Sequence, residues 1–134
     1  MASLSRGMKA RVDAALSEHG VRVGQHFVLE QLWREDGLTP GELAKRIGVE
    51  TPTVTRAVQR MEAADLAQRE PDLEDARLVR VRLTERGREL EGVVPEIMKR
   101  VWDEALEGFS EEEKAQLRQM MERVLSNLVG DNRG

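Results

Sequence analysis

Apolar residues recur at helical spacing over most of this chain and alternate clearly only between residues 78 and 83. Leu4, Met8, Val12, Ala15 and Leu16 predict an amphipathic helix from about Leu4 to Ser17, ended by His19-Gly20. A second helix is expected from Gly24 or Gln25 to about Glu35, with Phe27, Val28, Leu29, Leu32 and Trp33 apolar, before the turn signal Asp36-Gly37. Thr39 as N-cap, Pro40 at the first helical position and Glu42 three residues after the cap form a capping box. Leu43, Ala44 and Ile47 give that short helix its apolar contacts, and Gly48 stops it. Thr51-Pro52 repeats the start signal, so a further helix should run from about Pro52 to Ala64 with Val54, Ala57, Val58 and Met61 buried. Two strands follow, Leu66–Arg69 and Leu78–Leu83, joined by a polar loop containing Pro71. Thr84 caps a long helix reaching about Leu106, kinked at Pro95, and Ser110 with Glu113 opens a last helix to about Leu128.

Two short helices joined by a tight turn and followed by a hairpin make a winged helix-turn-helix. The expected fold is mainly α, in the α+β sense, with N- and C-terminal helices forming a dimerisation bundle. Residues 1–20 are assigned to an N-terminal dimerisation helix, 21–88 to the winged domain and 89–134 to C-terminal dimerisation helices. The outer helices carry more apolar surface than the small winged unit can cover, including Leu117, Met120, Met121, Val124, Leu125 and Leu128. A second copy around a two-fold axis is the simplest partner. Such a dimer presents two recognition helices roughly 34 Å apart, which predicts a pseudo-palindromic operator.

Composition narrows the function. No apolar run approaches the roughly 20 residues that span a bilayer, and Met1-Ala2-Ser3 leads into no signal-like segment, so a cytoplasmic protein is expected. The absence of cysteine excludes disulfides, thiolate metal sites and thiol redox sensing. His19 and His26 are the only histidines and no HExxH pattern occurs, so neither a metal site nor a cofactor is expected. No P-loop, dinucleotide fingerprint or nucleophile elbow points to an enzyme. Four aromatics offer little platform for stacking single-stranded nucleic acid. The net charge of −4 is uneven: residues 91–134 hold six basic and ten acidic groups, while residues 42–90 hold ten of each. Within 76–88, Arg77, Arg80, Arg82, Arg86 and Arg88 face the single acid Glu85, a locally basic stretch compatible with duplex DNA.

The helix beginning at Thr51-Pro52 carries the candidate chemistry. Its outer face holds Pro52, Arg56, Gln59 and Ala63, flanked by Thr53, Thr55 and Arg60, with no acid before Glu62. Arg pairs bidentately with guanine and Gln with adenine, while threonine hydroxyls hold phosphates. On its own this face is equally an ordinary solvated one; the capped helix before it and the hairpin after it favour DNA reading. At the hairpin tip Arg77 is the candidate for the minor groove. Asp75 is assigned to pair with an arginine and fix the loop, and Asp72 and Glu74 read as a solvated acidic tip.

Leu43-Ala44, Thr53-Val54-Thr55-Arg56, Arg69 with Pro71-Asp72, Asp75-x-Arg77 and Leu83-Thr84-Glu85-x-Gly87 together resemble the MarR family of transcriptional regulators over nearly the whole chain. The resemblance implies a homodimeric regulator, most simply a repressor, in which Arg56 and its neighbours (Thr51, Pro52, Thr53, Thr55, Gln59 and Arg60) enter the major groove and Arg77 the minor groove. One departure is Asp65, where the family usually has Gly; a positive φ is expected there. The resemblance also implies a small, often aromatic or anionic effector between the dimerisation helices and the winged domain. Candidate walls are His26, Phe27, Trp33 and Trp102, each equally readable as core. The rival reading is a winged-helix protein-interaction module that does not bind DNA.

Overall fold

The computed structural model describes residues 3–130; Met1, Ala2 and residues 131–134, which belong to the expected terminal segments, lie outside them. In chain order the elements are α1 (Leu4–Ser17), α2 (Val23–Arg34), α3 (Pro40–Ile47), α4 (Thr51–Ala63), β1 (Ala67–Pro71), β2 (Val79–Leu83), α5 (Glu85–Glu89), a 3₁₀ turn (Leu90–Gly92), α6 (Val94–Ala105) and α7 (Glu111–Gly130). The chain divides into a first unit, residues 1–101, and a second, residues 102–134.

The first unit is built around the predicted helix-turn-helix. Thr39 caps α3 as expected: its hydroxyl accepts from the Glu42 N–H at 3.2 Å, and the Glu42 carboxylate accepts from the Thr39 N–H at 3.3 Å. Gly48 ends α3 at φ 85, a left-handed conformation that costs a residue without Cβ little. The start of α4 differs from expectation. Thr51 lies inside the helix and Glu50 occupies the cap, with no side-chain cap bond; the Thr55 hydroxyl instead donates to the Thr51 carbonyl at 3.2 Å. Pro52 is accommodated because the first turn needs no N–H from it.

An eight-residue helix such as α3 is too short to persist alone. Its stability comes from burial: Leu43 and Ala44 join Val28, Leu29 and Leu32 of α2, Val54, Val58 and Met61 of α4, and Val81 and Leu83 of β2 in one core. Each buried Val, Leu or Met among them contributes about 1.5–3 kcal/mol. Val12 and Leu16 of α1 and Val94, Ile97 and Val101 of α6 enter the same cluster. Phe27, expected among the apolar contacts of α2, is 45% exposed instead.

The strands pair antiparallel, with Ala67 opposite Leu83 and Pro71 opposite Val79. They are shifted from the expected bounds: β1 runs on to Pro71, and Leu66 and Leu78 fall outside the pairing. The free edge of β2 is taken by the segment before α3, where the Val81 N–H donates to the Leu38 carbonyl at 2.8 Å and the Gly37 N–H to the Val81 carbonyl at 3.0 Å. Wing and helix-turn-helix therefore share a hydrogen-bonded ladder.

Asp65 joins α4 to β1 at φ 59, the only positive φ outside glycine among the described residues, as the sequence suggested. Its carbonyl accepts from the Thr84 hydroxyl at 2.6 Å, and that hydroxyl in turn accepts from the Gly87 N–H at 3.1 Å to cap α5. The expected long helix after Thr84 is interrupted rather than kinked. The 3₁₀ turn separates α5 from α6, whose first turn contains Pro95. Proline has no N–H to offer the carbonyl four residues earlier and its ring crowds that carbonyl, while Gly92 is itself a poor helix former.

In the second unit, Gly108 turns the chain at φ 87 and Ser110 caps α7. The Ser110 hydroxyl accepts from the Glu113 N–H at 3.1 Å, and the Glu113 carboxylate accepts from the Ser110 N–H at 2.8 Å. Met120, Met121, Val124, Leu125 and Leu128, part of the apolar surface expected to need a partner, are exposed in the single chain.

Candidate nucleic-acid interface

The outer face of α4 is available as the sequence suggested. Thr51, Pro52, Thr53, Arg56, Gln59 and Arg60 are exposed; Thr55 is half-buried, its hydroxyl engaged by the helix backbone. Arg56 and Arg60 have no ion-pair partner among the described residues. Glu62, the first acid along the helix, is drawn away by Arg69 of β1 at 2.8 Å. The helix thus presents two uncompensated guanidinium groups and an amide.

At the wing tip Asp75 holds Arg77 in a fork. Its carboxylate accepts from Arg77 Nε at 3.0 Å, from the second guanidinium nitrogen at 3.2 Å and from the Arg77 backbone N–H at 3.1 Å. The Arg77 side chain nevertheless remains 90% exposed. These bonds, the Arg77 side chain's first, hold the Asp75 carboxyl below the usual aspartate range. An arginine oriented this way presents its remaining N–H groups outward on a short, fixed lever.

Asp72 is not part of a solvated tip. Its side chain is only 14% exposed, accepts from the Glu74 N–H at 2.9 Å and lies 3.0 Å from Arg80. The Glu74 N–H and then Arg80 lower its pKa. Arg80 also donates to the Gly37 carbonyl at 2.9 Å, which clamps the base of the wing to the turn before α3.

The arginine cluster at 76–88 is accordingly redistributed. Arg82 pairs with Glu70 at 3.3 Å and Arg88 with Asp36 at 3.4 Å. Arg86 donates to the carbonyls of Ala64 at 3.0 Å and His19 at 2.8 Å. Four of the five arginines brace the fold, leaving Arg77 at the tip. The sequence also gave no sign of Asp36 as a hub: besides Arg88, its carboxylate accepts from the backbone N–H groups of Gly37 at 3.0 Å and Leu83 at 2.9 Å.

Of the candidate effector walls, His26, Phe27 and Trp33 lie in the first unit. His26 is buried and stacks, tilted, on Phe27 with ring centroids 4.2 Å apart. Burial lowers the His26 pKa, with the nearby Glu30 carboxylate opposing, and its Nδ1 has no hydrogen-bond partner. Trp33 Nε1 donates to the Gly87 carbonyl at 2.9 Å, fixing α2 against α5. Trp102 belongs to the second unit and is 38% exposed.

Among protein families, the one described as the MarR family matches residues 22–79, the stretch that runs from α2 to the wing. Over this stretch the chain is similar to the MarR family. It is 36% identical over 77 residues to the HTH-type transcriptional regulator TtmR of Methylorubrum extorquens, a match covering 58% of this chain and 40% of TtmR, so the chain spans less than half of that relative. The crystal structure of MarR superposes with a TM-score of 0.81 at 26% identity, covering 93% of this chain and 91% of that one. The Staphylococcus aureus MepR–DNA complex superposes with a TM-score of 0.80 at 28% identity, covering 92% of each chain. The fold of the chain is thus similar to that of MarR-family structures. Among the described residues, no helix is long and apolar enough to cross a membrane.

Proposed function

We propose that this MarR-family chain is a cytoplasmic, sequence-specific binder of duplex DNA that acts as a homodimeric repressor. The carrying observation is the pairing of an α4 face whose Arg56 and Arg60 lack ion-pair partners among the described residues with a wing that offers Arg77 at its tip. Arg56 and Gln59 read base edges in the major groove, Thr51, Pro52, Thr53 and Thr55 lie along the phosphates, and Arg77 enters the minor groove with Asp75 as its brace. MepR, similar in fold at 28% identity, was solved on DNA, which supports this reading.

The homodimer rests on the exposed stripe of α7. Met120, Met121, Val124, Leu125 and Leu128 are between 40% and 72% exposed in one chain, an apolar surface that favours association. Release by a small molecule completes the proposal, with the His26–Phe27 pair as the first place to look for contact. Selection from random duplexes at a stated salt concentration tests the reading. A pseudo-palindrome with half-sites about one turn apart is expected. No enriched motif from an intact dimer would replace DNA binding by a protein-interaction role.

A further inference from the structure

Beside α4 the first unit has a cleft of about 470 Å³ lined by Lys9 and Asp13 of α1, Arg22, Val23 and Gly24 at the start of α2, and Arg60 of α4. Three cations and one acid share this wall, in a chain whose net charge is −4. The acid is already committed. Asp13 Oδ1 accepts from Arg22 Nε at 3.1 Å and from the Val23 N–H at 3.4 Å, which holds Arg22 at the rim and neutralises it. Lys9 and Arg60 have no ion-pair partner among the described residues, so two uncompensated charges border one opening.

The lining decides the class of ligand. Val23 is its only apolar side chain, whereas sites for small organic molecules are mostly apolar. An aromatic or aliphatic body would gain little there. A phosphate group, compact and rich in acceptor oxygens, matches a wall of ammonium and guanidinium donors. Arg60 points to its source. It stands four residues from Arg56 on α4, about 6 Å along the axis and about 40° around it, so the cleft borders the face assigned to the major groove.

We propose that this cleft receives a backbone phosphate of the bound duplex, held by Lys9 and Arg60 with Arg22 fixed at its edge by Asp13. The interface then extends beyond the helix-turn-helix and wing to α1 and the start of α2. This rests on the DNA-binding reading above and adds contacts that carry no sequence information.

The test is binding of a random-sequence duplex of about two helical turns, followed by fluorescence anisotropy between about 50 and 200 mM KCl. Losing one phosphate contact lowers the slope of log K against log salt by about 0.9 for each bound copy of the chain. Lys9→Gln and Arg60→Gln should each show that loss, equally on every duplex, and Lys9→Arg should retain the wild-type slope. Lys9 is exposed on α1, and an unchanged circular-dichroism melt will show that Lys9→Gln folds. A Lys9→Gln slope equal to wild type overturns the proposal. A second arm titrates inorganic phosphate at constant ionic strength, read by calorimetry. Phosphate bound by wild type but not by Lys9→Gln, with an unchanged duplex slope, would assign the cleft to a free anion and overturn the duplex contact. Wild-type protein that binds no duplex at any salt would instead remove the DNA-binding reading, and the cleft's role with it.

Discussion

Gly87 offers a sharp test of how the wing is joined to the helices behind it. A Cβ built at this position would overlap the backbone carbonyl of Leu66 and press on Leu83 Cδ2 at 3.1 Å. Relief requires α5 to move back on the order of 1 Å, a shift that overpacking studies put at about 1–3 kcal/mol. Three hydrogen bonds cross the same joint. The Thr84 N–H donates to the Leu66 carbonyl at 3.1 Å, the Thr84 hydroxyl to the Asp65 carbonyl at 2.6 Å and Trp33 Nε1 to the Gly87 carbonyl at 2.9 Å. Each contributes about 1 kcal/mol and the shift weakens them together. Against this, alanine gains about 1 kcal/mol over glycine in helix propensity. Gly87→Ala should therefore lose about 2–4 kcal/mol, which lowers the urea midpoint by about 1–2 M at fixed protein concentration. Gly7→Ala is the control of opposite sign. Gly7 lies within α1 with nothing within 4 Å of an added Cβ, so that substitution should stabilise by about 0.5–1 kcal/mol. If Gly87→Ala unfolds within about 0.5 kcal/mol of wild type, the close approach of α5 to Leu66 does not require glycine and the reasoning fails.

Asp36→Ala strips the acceptor from the Leu83 N–H; a cost of about 1–3 kcal/mol is expected, with faster amide exchange at Leu83 than in wild type, and unchanged protection there would exclude the hub. His26 has a folded pKa below its ordinary 6.5 because burial disfavours the charged ring. The unfolded chain then binds more protons below that value, so stability from this group is present above about pH 6.5 and falls as pH drops through the folded pKa. Urea midpoints should decline over that window in wild type and decline less in His26→Gln; parallel curves would show that His26 is not the source. On a selected operator, Arg56→Ala should cost about 1–3 kcal/mol and relax base preference, while Arg77→Ala should weaken binding without altering the melt. Equal affinities for both variants and wild type would remove these roles.

What was legible in the sequence was local. The Thr39–Glu42 and Ser110–Glu113 boxes pair residues three apart, so their chemistry is written in nearby letters, whereas the left-handed Asp65 was expected only from the resemblance to a family that usually has Gly there. The arginines misled for the opposite reason. Arg86 finds its acceptors at His19 and Ala64, and Arg80 and Arg88 find theirs at Gly37 and Asp36, at separations no periodicity reports. Counted along the chain they form a basic patch; folded, they are struts. The cleft beside α4 was equally invisible, since Lys9, Arg22 and Arg60 come from three helices. At the start of α4, Thr51 and Pro52 gave a correct helix but the wrong cap, because proline is tolerated at either of the first two positions.

The backbone ladder between Leu38 and Val81 limits how such a protein can be switched. Because the chain leading into α3 is paired to β2, and Arg80 and Asp36 stitch the same seam, the wing cannot swing without dragging the helix-turn-helix along. Arg56 and Arg77 thus behave as two prongs of one rigid fork whose gauge is set at folding. In the proposed homodimer, the freedom left to the proposed effector would be to change how far apart two such forks stand, so that operator spacing, rather than the sequence within a half-site, would be the variable under control.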